Sequence, residues 1–113
     1  VFTLCSFSEG SPNVVKEAMA CNSPMVATNA GDAAWVIGET PGCYVSPSYE
    51  PEDFAQKLRL ALQYSEKNNR TQGRERLLAL GLDAKSIAGK IIGIYEAVIE
   101  KKPQSQKTST IPV

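Results

Sequence analysis

Short apolar segments alternate with segments of helical pattern along this chain, and this alternation constrains its fold more than any other feature. The segments 1–7 (VFTLCSF), 24–29 (PMVATN) and 42–47 (GCYVSP) are rich in β-forming residues, as is typical of strands buried on both faces of a parallel sheet. Helical patterns occur at 11–21, within 30–38, from about residue 51, at 70–82 and at 83–102. The resulting order β-α-β-α-β-α-α-α predicts an α/β fold, with a parallel sheet and right-handed crossovers.

Local signals indicate where the helices begin and end and which side chains they bury. Ser11 is a suitable N-cap, Pro12 fits the first helical position, and Asn22 is a suitable left-handed stop. Cys5 and Cys43 lie in apolar segments, which predicts two buried free thiols. On the helix that begins near residue 51, apolar side chains recur at steps of four and predict one buried face: Phe54, Leu58 and Leu62.

The composition excludes several classes of function. Twelve Lys and Arg balance twelve Asp and Glu, so the chain lacks the basic excess of a nucleic-acid-binding protein. No apolar run reaches the ~20 residues that span a bilayer. Three cysteines without a CxxC pair indicate neither a zinc site nor a disulfide framework, and they fit a reducing cytoplasm. Since the chain has no histidine, Ser-His-Asp and Cys-His catalysis cannot be completed within it.

The two ends of the chain differ from the segments between them. The first residues lie directly inside an apolar strand and do not start with Met. Because three strands are also few for such a sheet, we expect an N-terminal portion that precedes residue 1 and supplies further strands. The last segment, 103–113, is polar and aperiodic, which predicts a disordered tail.

The stretch SEGSPNVVKEAMAC, residues 8–21, carries the strongest functional signal. It follows the first strand, and open α/β sheets bind ligands beyond the carboxyl ends of their strands. A helix beginning near Ser11 offers unpaired N–H groups and a positive dipole end, which together bind an anion such as phosphate. The candidate amide donors are Gly10, Ser11, Asn13 and Val14, because Pro12 has no N–H.

Two glutamates, with seven residues between them, flank this predicted anion site. Glu9 comes just before it and would suit a neutral, hydroxyl-rich part of a ligand or developing positive charge. Glu17 lies further along the helix, where its oxygens could accept hydrogen bonds from a vicinal diol such as a ribose. The order sugar, phosphate, ribose outlines a sugar nucleotide. The helix dipole alone also explains glutamates near a helix N-terminus, and the spacing by itself is a weak signal.

The segment FSEGSPNVVKEAMACNSPMVATNAGD resembles the signature region of the retaining GT-B glycosyltransferases of family 4, the glycosyl transferases group 1. The segment NVVKEAMACN is especially similar to the corresponding sequence of bacterial enzymes of the capsular-polysaccharide and teichuronic-acid type. The resemblance is specific over residues 7–46 and extends by helix order alone over 50–101. It implies two Rossmann-like domains facing a cleft, with residues 1–102 forming the second half of the C-terminal, donor-binding domain.

The resemblance also implies roles for the matched residues. Glu9 would be the catalytic glutamate, contacting the hydroxyls of the donor sugar near the reacting carbon. The backbone of Gly10, Ser11, Asn13 and Val14 would meet the donor sugar and the diphosphate, and Glu17 would hold the nucleotide ribose. Many members carry Gly-Gly after the second strand and a Glu a few residues later, whereas this chain has Gly31-Asp32 and Trp35 there.

The implied reaction transfers a glycosyl group from a nucleotide-diphosphate sugar to a saccharide or lipid-linked acceptor, with no metal ion and no other cofactor. The implied partner is the N-terminal domain of the GT-B fold, and the implied location is the cytoplasm, with a peripheral position at the inner face of the cell membrane as an option. One alternative is a non-catalytic module of the same fold that binds nucleotide sugars or supports assembly. A GT-B-fold epimerase is a weaker alternative, because its usual residues are missing from this stretch.

Overall fold

A computed structural model of the protein describes residues 1–101, which divide into a first unit, Val1–Gly81, and a second unit that begins at Leu82. The first unit contains three strands and four helices, in the predicted order. They are β1 (Phe2–Leu4), α1 (Asn13–Ala20), β2 (Met25–Thr28), α2 (Ala33–Ile37), β3 (Cys43–Ser46), α3 (Pro51–Asn68) and α4 (Gly73–Ala79).

The three strands form a parallel sheet in the order β1-β2-β3, which confirms the predicted α/β class. Met25 on β2 lies opposite Phe2 on one side and Cys43 on the other. All four residues of β2 are buried, as expected for a central strand with elements packed on both faces. The carboxyl ends of the strands therefore meet at one edge of the sheet.

β1 is shorter and less covered than the sequence predicts. It spans three residues instead of seven, and Thr3 and Cys5 are exposed, so the prediction of a buried Cys5 thiol is wrong. The reason is that β1 has a strand neighbour on one side only within residues 1–101. Cys43, on β3, is buried as predicted, and this burial raises the pKa of its thiol.

α3 packs against β2 and β3 with a face that differs from the predicted one at a single position. Ala61 is completely buried, whereas Leu62 is 48% exposed. Phe54 and Leu58 are half-buried. The buried stripe therefore follows steps of four and then three, which matches the helical period better than two steps of four.

α1 and α4 approach each other closely at the end of α1. Asn22 has φ 55, which confirms the predicted left-handed stop. Its backbone carbonyl accepts the N–H of Thr71 at 2.9 Å, and its side-chain oxygen accepts the N–H of Arg74 at 2.9 Å. A Cβ at Gly73 would lie 2.6 Å from the Met19 carbonyl oxygen, so Gly73 lets α4 begin directly against the backbone of α1.

The second unit is described from Leu82 to Lys101 and consists mainly of α5 (Ala84–Lys101). Asp83 begins this helix, because its Oδ2 accepts the N–H of Ser86 at 3.0 Å and its carbonyl accepts the N–H of Ile87. Hydrogen bonds from Ser86 hold the pKa of the Asp83 carboxyl below its ordinary value. The predicted tail, 103–113, lies outside the described residues.

Candidate functional site

The loops that follow the three strands meet at the carboxyl edge of the sheet. Tyr49 follows β3, and its hydroxyl lies 3.2 Å from the carbonyl oxygen of Phe7, after β1, and 3.4 Å from that of Asn29, after β2. The ring of Tyr49 also packs on the ring of Phe7, with 5.0 Å between their centroids. One side chain thus links all three loops at the edge where open α/β sheets bind ligands.

Glu9 is exposed on the loop after β1, and a neighbouring serine orients its carboxylate. The hydroxyl of Ser6 donates to Oε1 of Glu9 at 2.9 Å. Ser6 is itself held from the next strand, because its carbonyl oxygen accepts the hydroxyl of Thr28. The carboxylate is therefore connected through Ser6 to the end of β2, while it stays open to solvent.

The loops after β1 and β2 touch through their backbones at two glycines. Gly31 has φ +56, and a Cβ built on it would lie 2.1 Å from the carbonyl oxygen of Gly10. The same Gly10 oxygen accepts the N–H of Asp32 at 3.0 Å. Such an approach is open only to glycine at position 31, which explains Gly31 physically.

Ser11 lies at the centre of a short polar chain that joins α1 to the loop after β2. Its hydroxyl donates to Oδ2 of Asp32 at 2.6 Å and accepts a hydrogen bond from Nζ of Lys16 at 2.6 Å. Asp32 and Lys16 carry opposite charges, so the net charge of these three hydrogen-bonded side chains is zero. Oδ1 of Asp32 is buried and has no hydrogen-bond partner within the described part of the chain.

The prediction of Ser11 as the N-cap of α1 and of Pro12 as its first helical residue is wrong. α1 begins at Asn13, Pro12 occupies the N-cap position with φ −68 and ψ 111, and no side chain caps the helix. The hydroxyl of Ser11 donates to the carboxylate of Asp32, and its oxygen, which an N-cap would use to accept a backbone N–H, accepts from the charged ammonium of Lys16 instead.

The start of α1 keeps the unpaired N–H groups that the sequence predicts for an anion site. The first N–H of α1 that donates to an earlier carbonyl is that of Val15, which lies 3.2 Å from the carbonyl oxygen of Pro12. The N–H groups of Asn13 and Val14 precede it and, like those of any helix start, have no acceptor within the helix. Asn13 and Val14 are exposed, as are Gly10 and Ser11 on the loop before them.

Glu17 lies one turn after Asn13 on the same face of α1, since residues four apart on a helix are neighbours. Both side chains are exposed. Three groups therefore follow one another along the loop after β1 and helix α1. They are the carboxylate of Glu9, the N–H groups of Asn13 and Val14, and the carboxylate of Glu17. Glu9 lies before the helix start and Glu17 after it, as predicted.

Comparison with known families assigns the chain to one of them. The family model of the glycosyl transferases group 1 matches residues 1–64, which run from β1 into α3 and include both glutamates. The chain belongs to the glycosyl transferases group 1. Comparisons with curated proteins and with solved structures give no match for the chain. The family's general chemistry is the transfer of a glycosyl group from a donor to an acceptor.

Sequence reasoning missed four residues of the candidate site: Ser6, Lys16, Asp32 and Tyr49. Three of them follow a strand and so lie at the carboxyl edge of the sheet, a signal that could have identified them. Lys16 gave no such signal, because only the path of the loop brings residue 11 within reach of its ammonium group.

A mostly apolar pocket of about 330 Å³ adjoins the same edge of the sheet. Its lining includes the aromatic rings of Phe7, Tyr49 and Phe54 and the side chain of Leu58. Thr28 and Ser48 add two hydroxyl groups to its wall. Since Phe7 and Tyr49 are the residues that join the loops after β1 and β3, this pocket shares its wall with the loop that carries Glu9.

Two further findings concern metal ions and membranes. Within the described residues, 1–101, no three His, Cys, Asp or Glu side chains lie where they could hold a metal ion together. None of the helices in this same range combines the length and the apolar character needed to cross a bilayer.

Proposed function

We propose that this chain forms part of the donor-binding domain of a retaining GT-B glycosyltransferase of family 4, and that its ligand is a nucleotide-diphosphate sugar. The observation that carries the proposal is the start of α1, where open N–H groups lie between two exposed glutamates at the carboxyl edge of a parallel sheet. A diphosphate suits the amides, and hydroxyl-rich groups suit the carboxylates on either side.

In the proposed reaction, the bond between the anomeric carbon and the diphosphate oxygen breaks, and the acceptor hydroxyl oxygen forms the new bond to the same carbon on the same face. The proton of that hydroxyl passes to the leaving diphosphate. Negative charge then grows on the leaving diphosphate, where the N–H groups of Gly10, Ser11, Asn13 and Val14 and the positive end of α1 stabilise it. Positive charge grows on the sugar ring, and Glu9 stabilises this oxocarbenium character while it orients the sugar hydroxyls. Ser6 supports this role by fixing one oxygen of the Glu9 carboxylate. The proposal needs neither a metal ion nor another cofactor.

Glu17 is proposed to bind the ribose of the nucleotide. Its exposed position one turn below Asn13 leaves both carboxylate oxygens open to a vicinal diol. The ribose would then lie on the helix face beyond the diphosphate, with the sugar on the Glu9 side.

The remaining parts of the proposal concern the whole protein. The acceptor is a saccharide or a lipid-linked saccharide, as in bacterial polysaccharide biosynthesis, and the N-terminal domain of the GT-B fold completes the cleft. The proposed location of the protein is the cytoplasm, with peripheral association at the inner face of the cell membrane as an option. These statements rest on the family and on the resemblance to enzymes of the capsular and teichuronic-acid type.

The test uses the complete protein and a panel of donors that includes UDP-glucose, UDP-N-acetylglucosamine and GDP-mannose. Calorimetry measures donor affinity, and release of free UDP or GDP measures turnover. We expect Glu17→Ala to weaken donor binding about tenfold, the order of magnitude for losing hydrogen bonds to a charged group. We expect Glu9→Ala to lower turnover about 100-fold with little change in affinity, as for the loss of one group that stabilises transition-state charge.

The matched control is Glu52→Ala, which removes an equally exposed glutamate from the first turn of α3. It should leave binding and turnover unchanged. Normal binding and turnover in both site variants would refute the assignment. Donor binding without any turnover in the unmodified protein would favour the non-catalytic module instead.

A further inference from the structure

Asp32 directs its carboxylate away from the helix that it precedes. It occupies the N-cap position of α2, where an Asp side chain commonly bonds an N–H of the first turn. The structure gives α2 no side-chain cap of this kind. Oδ2 of Asp32 instead accepts the hydroxyl of Ser11, a residue 21 positions earlier, at 2.6 Å.

Asp32 forms hydrogen bonds with two consecutive residues of the loop that we propose as the diphosphate site. Its backbone N–H donates to the Gly10 carbonyl oxygen at 3.0 Å, while its side chain accepts from Ser11. Gly31, with φ +56, brings this N–H within reach because no Cβ separates the two loops. Gly31 and Asp32, which follow β2, therefore determine the path of the loop between Glu9 and α1.

The charges around Ser11 suit a site for an anion. The carboxylate of Asp32 alone would repel a phosphate, but the ammonium of Lys16 lies 2.6 Å from the same Ser11 oxygen and offsets it. The hydroxyl of Ser11 donates to Asp32 and accepts from Lys16. Its proton is thus committed, and the backbone N–H is the group that Ser11 offers to a ligand.

The second oxygen of Asp32 indicates that this contact does more than stabilise the fold. Oδ1 is buried, and no group among residues 1–101 donates a hydrogen bond to it. A buried polar atom without a partner is unfavourable, and such atoms in folded proteins call for an explanation. Asp32 keeps this unfavourable buried oxygen at the edge of a binding loop. Such an arrangement is expected where the geometry of the loop matters more than the stability of the fold.

We infer that Asp32 is a positioning residue, which acts through Ser11 to hold the backbone amides of Gly10 and Ser11 toward the donor diphosphate. This inference rests on the proposed function of the loop. It assigns a role to the loop after β2 at the place where many members of the family carry a second glycine.

The experiment uses the complete protein, with UDP-glucose and GDP-mannose as probes, and compares KM and kcat for release of UDP or GDP. Asp32→Ala should raise KM about tenfold, the order of magnitude for losing one hydrogen bond to a charged group. Asp32→Asn should keep KM close to that of the unmodified protein, because the amide oxygen still accepts the Ser11 hydroxyl. Ser11→Ala should match Asp32→Ala, and the double variant should be no worse than either single variant, since residues that act through one contact are not additive.

Two kinetic results would overturn the inference. If the effects of Ser11→Ala and Asp32→Ala multiply, Asp32 does not act through Ser11. If Asp32→Ala lowers kcat while KM stays constant, the variant has lost folded protein and its role is purely structural.

A second measurement needs no donor. Hydrogen exchange of the residue-32 amide, which donates to the Gly10 carbonyl oxygen, should be faster in Asp32→Ala and unchanged in Asp32→Asn once each rate is corrected for the side chain at that position. If neither probe binds the unmodified protein, the proposed function fails for these donors, and the exchange result still decides whether Asp32 positions the loop. Equal exchange in all variants would refute the positioning role whatever the donor.

Discussion

At the scale of single residues, Gly31 decides how closely the loops after β1 and β2 approach. Its φ of +56 lies in the left-handed region, and its missing Cβ leaves room for the carbonyl oxygen of Gly10. Gly10 differs, because nothing lies within 4 Å of a Cβ built on it and its φ is not positive. Two glycines that face each other thus have different structural demands.

We therefore predict that Gly31→Ala destabilises the protein by at least about 2 kcal/mol, from left-handed strain together with the displaced Gly10 carbonyl. Gly10→Ala, the matched control, should change the free energy of unfolding by less than about 1 kcal/mol. Urea denaturation of both variants measures the difference. Equal stability of the two variants would show that the close backbone contact does not exist in solution.

The residues of the candidate site were only partly predictable. Glu9, Glu17 and the exposed backbone at the start of α1 follow from local pattern and from the resemblance, because strand, loop and helix are consecutive in sequence. The partners of Ser11 do not follow, since a serine before a proline equally suits a helix cap. Its choice of Asp32 depends on a contact between loops 21 residues apart.

At the scale of elements, the order of strands and helices follows from the sequence, but the ends of the elements do not. The helix predicted over 11–21 spans Asn13–Ala20, and the strand predicted over 1–7 spans Phe2–Leu4. The buried face of α3 was misassigned at one residue, because the choice between Ala61 and Leu62 depends on where the sheet lies. Tertiary packing, rather than hydrophobicity, decides such positions.

The start of α5 allows a prediction of pH dependence. The pKa of Asp83 is lowered in the folded protein, so its ionised form stabilises the helix start at pH values above the ordinary Asp pKa of about 3.9. This contribution is lost as the pH falls through the lowered pKa of the folded state. The protection factor of the Ser86 amide, which is its intrinsic exchange rate divided by its measured rate, should therefore fall on acidification.

Asp83→Asn provides the matched control for this prediction. Asn is also a good N-cap, so the helix start should remain protected at neutral pH, while the acid-dependent loss disappears. Asp83→Ala should lose the protection at every pH. An unchanged acid response in Asp83→Asn would assign the effect to another group.

At the scale of the whole molecule, Asn22 links the end of α1 to the start of α4, about fifty residues later. Its carbonyl oxygen and its side-chain oxygen hold the N–H groups of Thr71 and Arg74. The sequence predicted the left-handed turn at Asn22 but not these contacts, because a long separation in sequence carries no local signal. Asn22, in a restricted backbone conformation, is thus one of the residues that attach α4 to the earlier part of the chain. Arg74 and Arg76 add hydrogen bonds to the carbonyl oxygens of Ala20, Trp35 and Val36.

We predict a graded series at this position. Asn22→Gly keeps the left-handed conformation and loses only the side-chain acceptor, so it should lower the free energy of unfolding by about 1 kcal/mol. Asn22→Ala adds backbone strain of about 1 kcal/mol or more to that loss. Urea denaturation measures both values, and an alanine variant as stable as the glycine variant would contradict the strain.

The contact between the loops after β1 and β2 also has a consequence for changing what such a protein accepts as substrate. A loop exchanged between two relatives carries its own path only if its supports come with it. Here, residues 8–16 derive their shape from residues 29–32 through the Gly10–Gly31 approach and the Ser11–Asp32 hydrogen bond. The two segments should therefore be exchanged together, because a chimaera that takes the first without the second loses the contacts between the two loops.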